Sequence, residues 1–465
     1  MKFVLLNPND PIGYKIEREP AGNMGVCYKD NDKHYFFPIT LTYAISALLD
    51  TKKGFKVIDG QAMDYSDKEI ISAVEKEQPN YILALVSLPS IDHDIKLLEK
   101  IKLIVSQCKI CVFGGPCNVI PEYILKNKWI DYALQGRFPY YNHIFEFCNS
   151  PSKKCHGLVY IDNGKLICNK WNIENDLDKL NFKSFGYINI KRYVQTTKLT
   201  DKKKISYAAV LTAVGCHYNC SYCPYPLTYG NKVIYKSINK VMKEIEFLVK
   251  LGIKGFYVRN IVLENDKKWF KQLCKKIIDK KLNIEWVFEA RVDQMDEEIL
   301  SLMKKAGCVK IDFGVETGSQ KLLKSIGKPG LNVDRIRKVF DYCNKIGIFP
   351  MAQLILGLPG ETKQTIKETK KLIRQINPVN VNFNICTPYP GTRVYEIAKK
   401  KGLIEDFNYA HYTSHTEVMR TEQLSRSYLK MIERKMKIML RLKQFINNKN
   451  QRIMILKKIH KKIFN

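Results

Sequence analysis

The feature that most constrains the fold is a serial alternation of short apolar segments and amphipathic segments from Ser206 to about Thr387. The apolar segments have the length and the β-branched content of buried strands, and the segments between them have helical spacing. They read AAVLTAV, KGFYVR, IEWVFEA, VKIDFGV, FPMAQLILG and VNFNICT. This order predicts a full or partial parallel (β/α) barrel, whose functional residues lie at the carboxyl ends of the strands.

A second alternation runs from Lys2 to about Tyr140, with apolar runs such as KFVLLN, YILALVSL and ICVFGG between helical stretches. It predicts an α/β fold class for this part as well, a doubly wound, Rossmann-like domain. The following segment is polar, with a hairpin signal at Asn163 and Gly164, and is interpreted as a linker. The expected divisions are therefore 1-150 for the first domain, 151-200 for the linker, 201-402 for the barrel and 403-465 for a helical C-terminal extension.

Length and composition favour a multidomain enzyme, because 465 residues exceed what one core usually serves. No apolar run approaches the roughly 20 residues that cross a bilayer, and the start, MKFVLLNPND, turns polar too soon for a signal peptide. A cytoplasmic location is the expectation. Fourteen cysteines then suggest a reducing compartment, where thiols pack in cores or bind metals.

The formal charge of +31 has two interpretations. Clustered Lys and Arg attract nucleic acid or anionic membranes, whereas a basic excess spread along a chain rich in Lys, Ile and Asn can reflect biased coding alone. After about Thr421 the chain carries thirteen Lys and Arg residues, with Leu429, Ile432, Met436 and Met439 at helical spacing. This pattern predicts an amphipathic helix that packs on the barrel with a solvated basic face, or that makes a peripheral membrane contact. Nucleic acid is the less favoured partner.

The chemistry is concentrated in the segment GCHYNCSYCPYP, which places Cys216, Cys220 and Cys223 directly after the first barrel strand. Cysteine thiolates ligate iron in 4Fe-4S clusters, and the absence of a fourth nearby cysteine would leave one iron open for a small molecule. Zinc is the alternative, with His217 as a neighbour, but paired zinc-site spacings are missing. The pattern favours an iron-sulfur cluster that takes part in a reaction.

The motif Cys-x3-Cys-x-aromatic-Cys, with Tyr222 as the aromatic residue, resembles the signature of the radical S-adenosylmethionine (SAM) superfamily. The runs FEARVDQMDEEILSLMKKAGCVKIDFGVETGS, AQLILGLPGET and TPYPGT are similar to later strands of members with an N-terminal cobalamin-binding domain. This resemblance covers almost the whole chain. It implies a 4Fe-4S cluster that chelates SAM and, once reduced, cleaves it to methionine and a 5'-deoxyadenosyl radical.

The same resemblance implies that Arg291 and Glu316, at strand ends, contact the methionyl or ribose part of SAM and that Tyr222 lies near the adenine. Charged residues at these strand ends more often serve the site than the core, the alternative being a salt bridge between strands. One segment departs from the family pattern. In VRNIVLE, Arg259 is retained, but Asn260 and Ile261 replace the usual acid and its neighbour.

In the first domain, FGGPCNVIPE resembles the Gly-Gly-Pro turn of cobalamin-binding domains in this family. Gly114, Gly115 and Pro116 follow a strand at its carboxyl end, where open α/β sheets bind ligands, and Ser87 follows another strand. These residues are the expected cobalamin contacts, with a plain strand-to-loop turn as the alternative. No Asp-x-His-x-x-Gly motif is present, and Gln135-Gly136-Arg137-Phe138 stands in place of a common acidic turn, so a degenerate domain stays open.

The leading hypothesis is a cobalamin-dependent radical SAM methyltransferase that acts on an unactivated carbon of a small-molecule or lipid-like substrate. It would require a low-potential electron donor such as flavodoxin or ferredoxin. Two alternatives are RNA methylthiolation, whose enzymes generally carry a small C-terminal β-domain, and a non-catalytic iron-sulfur protein that binds nucleic acid or membranes.

Overall fold

The computed structural model describes residues 1–28, 35–171, 176–199, 203–259 and 267–447. Its N-terminal part is an α/β domain in which parallel strands alternate with helices. The strands are β1 (Lys2–Asn7), β2 (Lys15–Glu17), β3 (Val26–Tyr28), β4 (Gly54–Asp59), β5 (Tyr81–Leu85), β6 (Lys109–Phe113), β7 (Tyr132–Leu134), β8 (Leu158–Asp162) and β9 (Lys165–Cys168). The helices are α1 (Ile39–Thr51), α2 (Asp67–Glu77), α3 (Ile91–Ile104), α4 (Gly115–Val119), α5 (Pro121–Leu125) and α6 (Tyr141–Asn149).

The first sheet has the order β4-β1-β5-β6-β7-β8-β9. Its first five strands are parallel, and β8 and β9 add an antiparallel edge. The hairpin turn between β8 and β9 lies at Asn163 and Gly164, both with left-handed backbone (φ 47° and 76°). The predicted hairpin therefore exists, and it belongs to the first sheet.

The second part is built around another seven-stranded sheet. Its strands, with a short β12–β13 hairpin, are β10 (Gln195–Lys198), β11 (Lys204–Leu211), β12 (Ala213–Val214), β13 (Ile234–Tyr235), β14 (Gly255–Arg259), β15 (Glu285–Arg291), β16 (Cys308–Glu316), β17 (Phe349–Leu356) and β18 (Asn380–Ile385). The helices are α7 (Tyr225–Tyr229), α8 (Ile238–Lys250), α9 (Lys267–Asp279), α10 (Glu297–Lys305), α11 (Gln320–Ser325), α12 (Val333–Ile346), α13 (Lys363–Ile376), α14 (Arg393–Lys400) and α15 (Arg426–Asn447).

The order β10-β11-β14-β15-β16-β17-β18 makes this sheet a partial barrel. From β11 to β18 all neighbours are parallel, and β10 pairs with β11 in the antiparallel sense. Because β11 and β18 do not pair, the barrel stays open on one side within the described residues. The α/β fold class is confirmed, with the partial form of the barrel.

Local sequence signals explain where several barrel helices begin. The side chains of Ser237, Asp296, Asn332 and Thr362 each accept a hydrogen bond from a backbone N–H of the first turn. Such N-caps satisfy amide groups that have no partner inside the helix. These four caps therefore fix the residues at which the helices begin.

The C-terminal helix α15 packs against the barrel through its apolar side. Leu429 and Met436 are fully buried and Ile432 is 4% exposed, whereas Ile438 is 55% exposed. The helix thus uses the predicted apolar face, and no small β-domain follows the barrel up to residue 447. Among the helices of the described residues, none combines the length and apolar content needed to cross a membrane.

Candidate active site

A cavity of about 460 Å³ lies at the carboxyl ends of the barrel strands, and the cysteine loop forms part of its wall. Cys216, Cys220 and Cys223 all line it. The loop turns at Gly215 (φ 97°), where a Cβ atom would lie 2.0 Å from the carbonyl oxygen of Lys232, so only glycine fits. The three predicted ligands therefore face one cavity.

The thiols sit in a buried, partly cationic environment. Burial raises the pKa of Cys216 to about 12 and raises the pKa of Cys220 and Cys223 as well. The positive charges of Arg291 and Lys328 oppose this effect at Cys216 and Cys220, because they stabilise a thiolate. Such cations suit an anionic cluster, since metal-bound thiolates keep their negative charge.

The residues fit an iron-sulfur cluster by the chemistry of their donors. Three thiols on one short loop face one cavity, with two cations nearby. Within the described residues, no three Cys, His, Asp or Glu side chains already converge as metal ligands. The cysteines therefore suit a cluster because they supply the right donor atoms and line the same cavity.

Arg291 ends strand β15 and is held from three sides. Its guanidinium donates to Asp293 at 3.0 Å and 2.6 Å, and its Nη1 lies 3.5 Å from Cys220 Sγ. The guanidinium also stacks on Tyr218, 3.6 Å from the ring centroid. This combination fixes a buried cation beside the cysteine loop.

Glu316 ends strand β16 at a β-bulge and adopts a left-handed backbone (φ 62°). Its carboxylate lies 2.6 Å from Lys328 Nζ, and the same ammonium donates to the carbonyl oxygen of Gly314 at 3.0 Å. A non-glycine residue with positive φ is costly and clusters at functional sites. Tyr222 lines the same cavity, and burial together with the Glu316 charge raises its pKa.

Lys328 was missed at the level of sequence, because it lies in an ordinary loop after α11. The loop reaches the site by close approach: a Cβ atom on Gly327 would lie 2.8 Å from the carbonyl oxygen of Asn219. The backbone N–H of Ser221 donates to the carbonyl oxygen of Ile326 at 3.0 Å. The glycine before Lys328 was the one available signal.

Further residues of the cavity wall come from three regions of the chain. The barrel interior contributes Glu289, Asp312, Gln353, Asn382 and Asn384; the first domain contributes Glu17, Pro20, Ala21, Val26, Tyr28 and Phe36; the segment before α15 contributes Ser414 and His415. Alternation along each strand puts the interior residues on one face of the sheet, but it does not tell whether that face points inward. The other two sets depend on long-range packing that no local pattern reports.

The expected cobalamin contacts in the first domain are covered by the chain itself. Ser87, Gly115 and Pro116 are buried, and Gly114 is also buried after strand β6. A Cβ atom on Gly115 would lie 2.3 Å from the carbonyl oxygen of Asn23. The backbone N–H of Leu88 donates a hydrogen bond to the carbonyl oxygen of Met24 at 2.7 Å.

The covering segment, residues 18–25, is tied to both domains. Arg18 donates to the buried Asp94 carboxylate at 2.7 Å and 3.0 Å. The Gly22 carbonyl oxygen accepts from Thr228 Oγ1 at 2.7 Å, and Arg259 Nη2 donates to the Glu19 carbonyl oxygen at 3.0 Å. Residues 18–25 thus contact Ser87 and Gly115, while Gly114 lies against Val86, and the cobalamin contacts at these positions stay a prediction.

Arg259 accordingly holds the two domains together. Besides Glu19, it donates to the hydroxyl of Tyr229 at 2.7 Å. Asn260 and Ile261, the positions that depart from the family pattern, lie outside the described residues.

Comparisons with known proteins agree with this architecture. The family model of the Radical SAM superfamily matches residues 210–373. An uncharacterised methyltransferase of Pyrococcus horikoshii, PH0819, is 25% identical over 408 residues, which cover 86% of this chain and 86% of that protein.

Two solved structures share the fold across both domains. The radical SAM methyltransferase TsrM of Kitasatospora setae, with tryptophan substrate and a SAM analogue bound, matches with a TM-score of 0.68 and 16% identity, over 86% of this chain and 76% of that chain. The cobalamin-dependent enzyme OxsB, with aqua-cobalamin and SAM bound, matches with a TM-score of 0.70 and 16% identity, over 91% of this chain and 64% of that chain. The motifs and the family match identify residues 210–373 as a domain of the Radical SAM superfamily, and the chain shares the two-domain fold of TsrM and OxsB.

Proposed function

We propose that this chain is a cobalamin-dependent radical SAM methyltransferase that methylates an unactivated carbon of a small molecule. The observation that carries the proposal is the single cavity shared by the cysteine loop, Arg291 and the Glu316–Lys328 pair. Methyl transfer and cobalamin come from the comparisons, since the matched relative and TsrM are named methyltransferases and OxsB is named cobalamin-dependent.

In this proposal Cys216, Cys220 and Cys223 hold a 4Fe-4S cluster and leave one iron open. When bound, the cluster, SAM and cobalamin supply one-electron cleavage, a 5'-deoxyadenosyl radical and a methyl carrier. A low-potential donor such as flavodoxin or ferredoxin would deliver the electron.

The residues of this chain position SAM and exclude water. Arg291, fixed by Asp293 and Tyr218, presents a cation beside the cysteine loop for the carboxylate of SAM. Glu316, oriented by Lys328, is the proposed acceptor for a ribose hydroxyl. The assignment of Tyr222 to the adenine rests on the family resemblance and on its place in the cavity wall.

The first domain forms one side of the cavity. Ala21, Tyr28 and Phe36 form part of its wall, so the first domain excludes solvent from that side of the cavity. Cobalamin at Ser87, Gly114, Gly115 and Pro116 remains part of the proposal, and residues 18–25, which contact Ser87 and Gly115, would have to make room for it.

The direct test is anaerobic reconstitution with iron and sulfide, followed by reduction in the presence of SAM and assay of 5'-deoxyadenosine. The wild-type protein should form it, and a Cys216→Ala, Cys220→Ala, Cys223→Ala triple variant should not. Cys168→Ala, which removes an exposed thiol in strand β9, is the matched control. Absence of 5'-deoxyadenosine from the wild-type protein with every reductant would refute the proposal.

A further inference from the structure

The interior end of the cavity is polar and lies below the residues assigned to SAM. Strand register places Glu289 beside Asp312 and places Arg291 beside Gly314. Two residues along a parallel strand advance by about 6.6 Å, so the two carboxylates lie that much deeper than the level of Arg291. A group bound there is separate from the groups that contact Arg291 and Glu316.

The side chain of Glu289 is exposed to the cavity. It is more than a third exposed although protein atoms surround it, because its side chain borders the cavity. Burial raises its pKa, and the nearby Tyr257 hydroxyl and the charges of Arg259 and Lys310 oppose this effect, but no Lys or Arg of the described residues forms an ion pair with it. Its neighbour Asp312 forms an ion pair with Lys310 at 3.0 Å.

Without a bound cation, the surroundings of Glu289 and Asp312 favour the protonated, neutral form of each carboxyl group. Burial raises the pKa of both Glu289 and Asp312, and the charge of Asp312 raises that of Glu289 further. A ligand cation placed between them would reverse this effect, since an opposite charge favours the ionised form.

The two carboxylates form an acidic site in a chain whose formal net charge is +31. The other cations of the cavity wall are already engaged: Arg291 with Asp293 and Lys328 with Glu316. Burial lowers the pKa of His415, which keeps it neutral. The interior therefore disfavours anions and suits a positive group.

Amide groups line the next two strands nearer the strand ends, because the register pairs Gly314 with Gln353 and Gln353 with Asn382. Gln353 Oε1 accepts from Asn382 at 3.0 Å and from Asn384 at 3.3 Å. These amides give hydrogen-bonding capacity without adding charge. The cavity thus has two carboxylates deep on β15 and β16 and neutral amides at the level of Arg291 and above on β17 and β18.

We propose that the substrate is a small molecule that carries a protonated amine, and that Glu289, with Asp312 beside it, binds this amine in the barrel interior. The inference rests on the proposed function, because it identifies the interior of the same cavity as the substrate site. Glu289 is a specificity-determining residue in this account.

The experiment uses sets of small molecules that share one scaffold and end in an amine, an alcohol or a carboxylate. Binding to the reconstituted protein, saturated with SAM, is screened by thermal shift, and dissociation constants of the hits are measured by calorimetry. The variants are Glu289→Gln and Asp312→Asn. Glu285→Gln is the matched control, because Glu285 lies on the same strand but outside the cavity and pairs with Lys203.

The hits should be amines, and Glu289→Gln should weaken their binding by at least about tenfold while changing the matched alcohols little. Glu285→Gln should bind amines like the wild-type protein. Hits that are mainly alcohols or carboxylates, no amine hit, or amines that bind both interior variants as tightly as the wild-type protein would overturn the inference. Thermal unfolding of each variant checks its fold, and Asp312→Asn serves if Glu289→Gln does not fold.

This binding test needs no turnover, so it separates the two proposals. Failure to cleave SAM would refute the proposed function and leave the charge preference measurable. Loss of the charge preference with intact SAM cleavage would refute only the inference about the substrate.

Discussion

Replacing Lys328 with Met tests whether Glu316 is held ready for SAM. The side chains of this pair are only 4% and 7% exposed, and the Nζ to Oε1 distance is 2.6 Å. Removing one partner of a buried pair typically costs about 3 to 5 kcal/mol, because it leaves an uncompensated charge. Lys328→Met should therefore lower the unfolding free energy of the barrel by an amount of that order.

SAM binding should weaken as well. A hydrogen bond to a charged group contributes about 1.5 to 3 kcal/mol, so loss of a correctly oriented Glu316 carboxylate should raise the dissociation constant of SAM by roughly 10- to 150-fold. The assay is calorimetric titration of SAM into the reconstituted protein, with urea unfolding measured in parallel.

Lys324→Met is the matched control, since Lys324 is exposed on the neighbouring helix α11. It should leave both quantities close to wild type. If Lys328→Met bound SAM as tightly as Lys324→Met, Glu316 would not depend on this lysine and would not contact SAM in the way proposed.

Three further predictions concern other parts of the molecule. Burial raises the pKa of Glu361 to about 8 from 4.5. The protonated side chain therefore stabilises the folded protein fully below pH 4.5, and this stabilisation is lost as the pH rises through about 8. Relative to Glu361→Gln, the wild-type protein should lose several kcal/mol of unfolding free energy over that range, at roughly 1.4 kcal/mol per pKa unit, and parallel pH profiles would contradict this. An Arg18→Met, Asp94→Met double variant replaces the buried pair that anchors residues 18–25, and it should take up cobalamin faster than the wild-type protein, as measured by corrin absorbance after gel filtration; equal uptake rates would show that this segment does not limit access. Leu429→Ala should destabilise the packing of α15 on the barrel by about 2 to 5 kcal/mol, whereas Ile438→Ala, at an exposed position of the same helix, should not; equal thermal unfolding of the two would contradict the packing.

Much of the fold was accessible from local patterns. Strand-length apolar runs separated by amphipathic helices predict two parallel sheets, because parallel strands need crossover helices. The pattern did not decide whether the barrel closes, since closure depends on whether β11 meets β18 in space. The hairpin at Asn163 was predicted from its turn, but its membership in the first sheet depends on the long-range pairing of β7 with β8.

The candidate site was accessible in part for the same reason. The spacing of the cysteines and the positions of Arg291 and Glu316 at strand ends are local features. Lys328 and residues 18–25 reach their places through tertiary contacts, such as the approach of Asn23 to Gly115. Glu289 and Asp312 alternate along their strands, yet alternation alone does not tell which face of the sheet points inward.

The measurement that tests the central claim most directly is electron paramagnetic resonance of the anaerobically reconstituted and reduced protein, with and without SAM. The account predicts a reduced 4Fe-4S signal that changes when SAM is added, because SAM binds the open iron, and no such signal in the Cys216→Ala, Cys220→Ala, Cys223→Ala variant. A signal that SAM leaves unchanged, or one that persists in the triple variant, would contradict it.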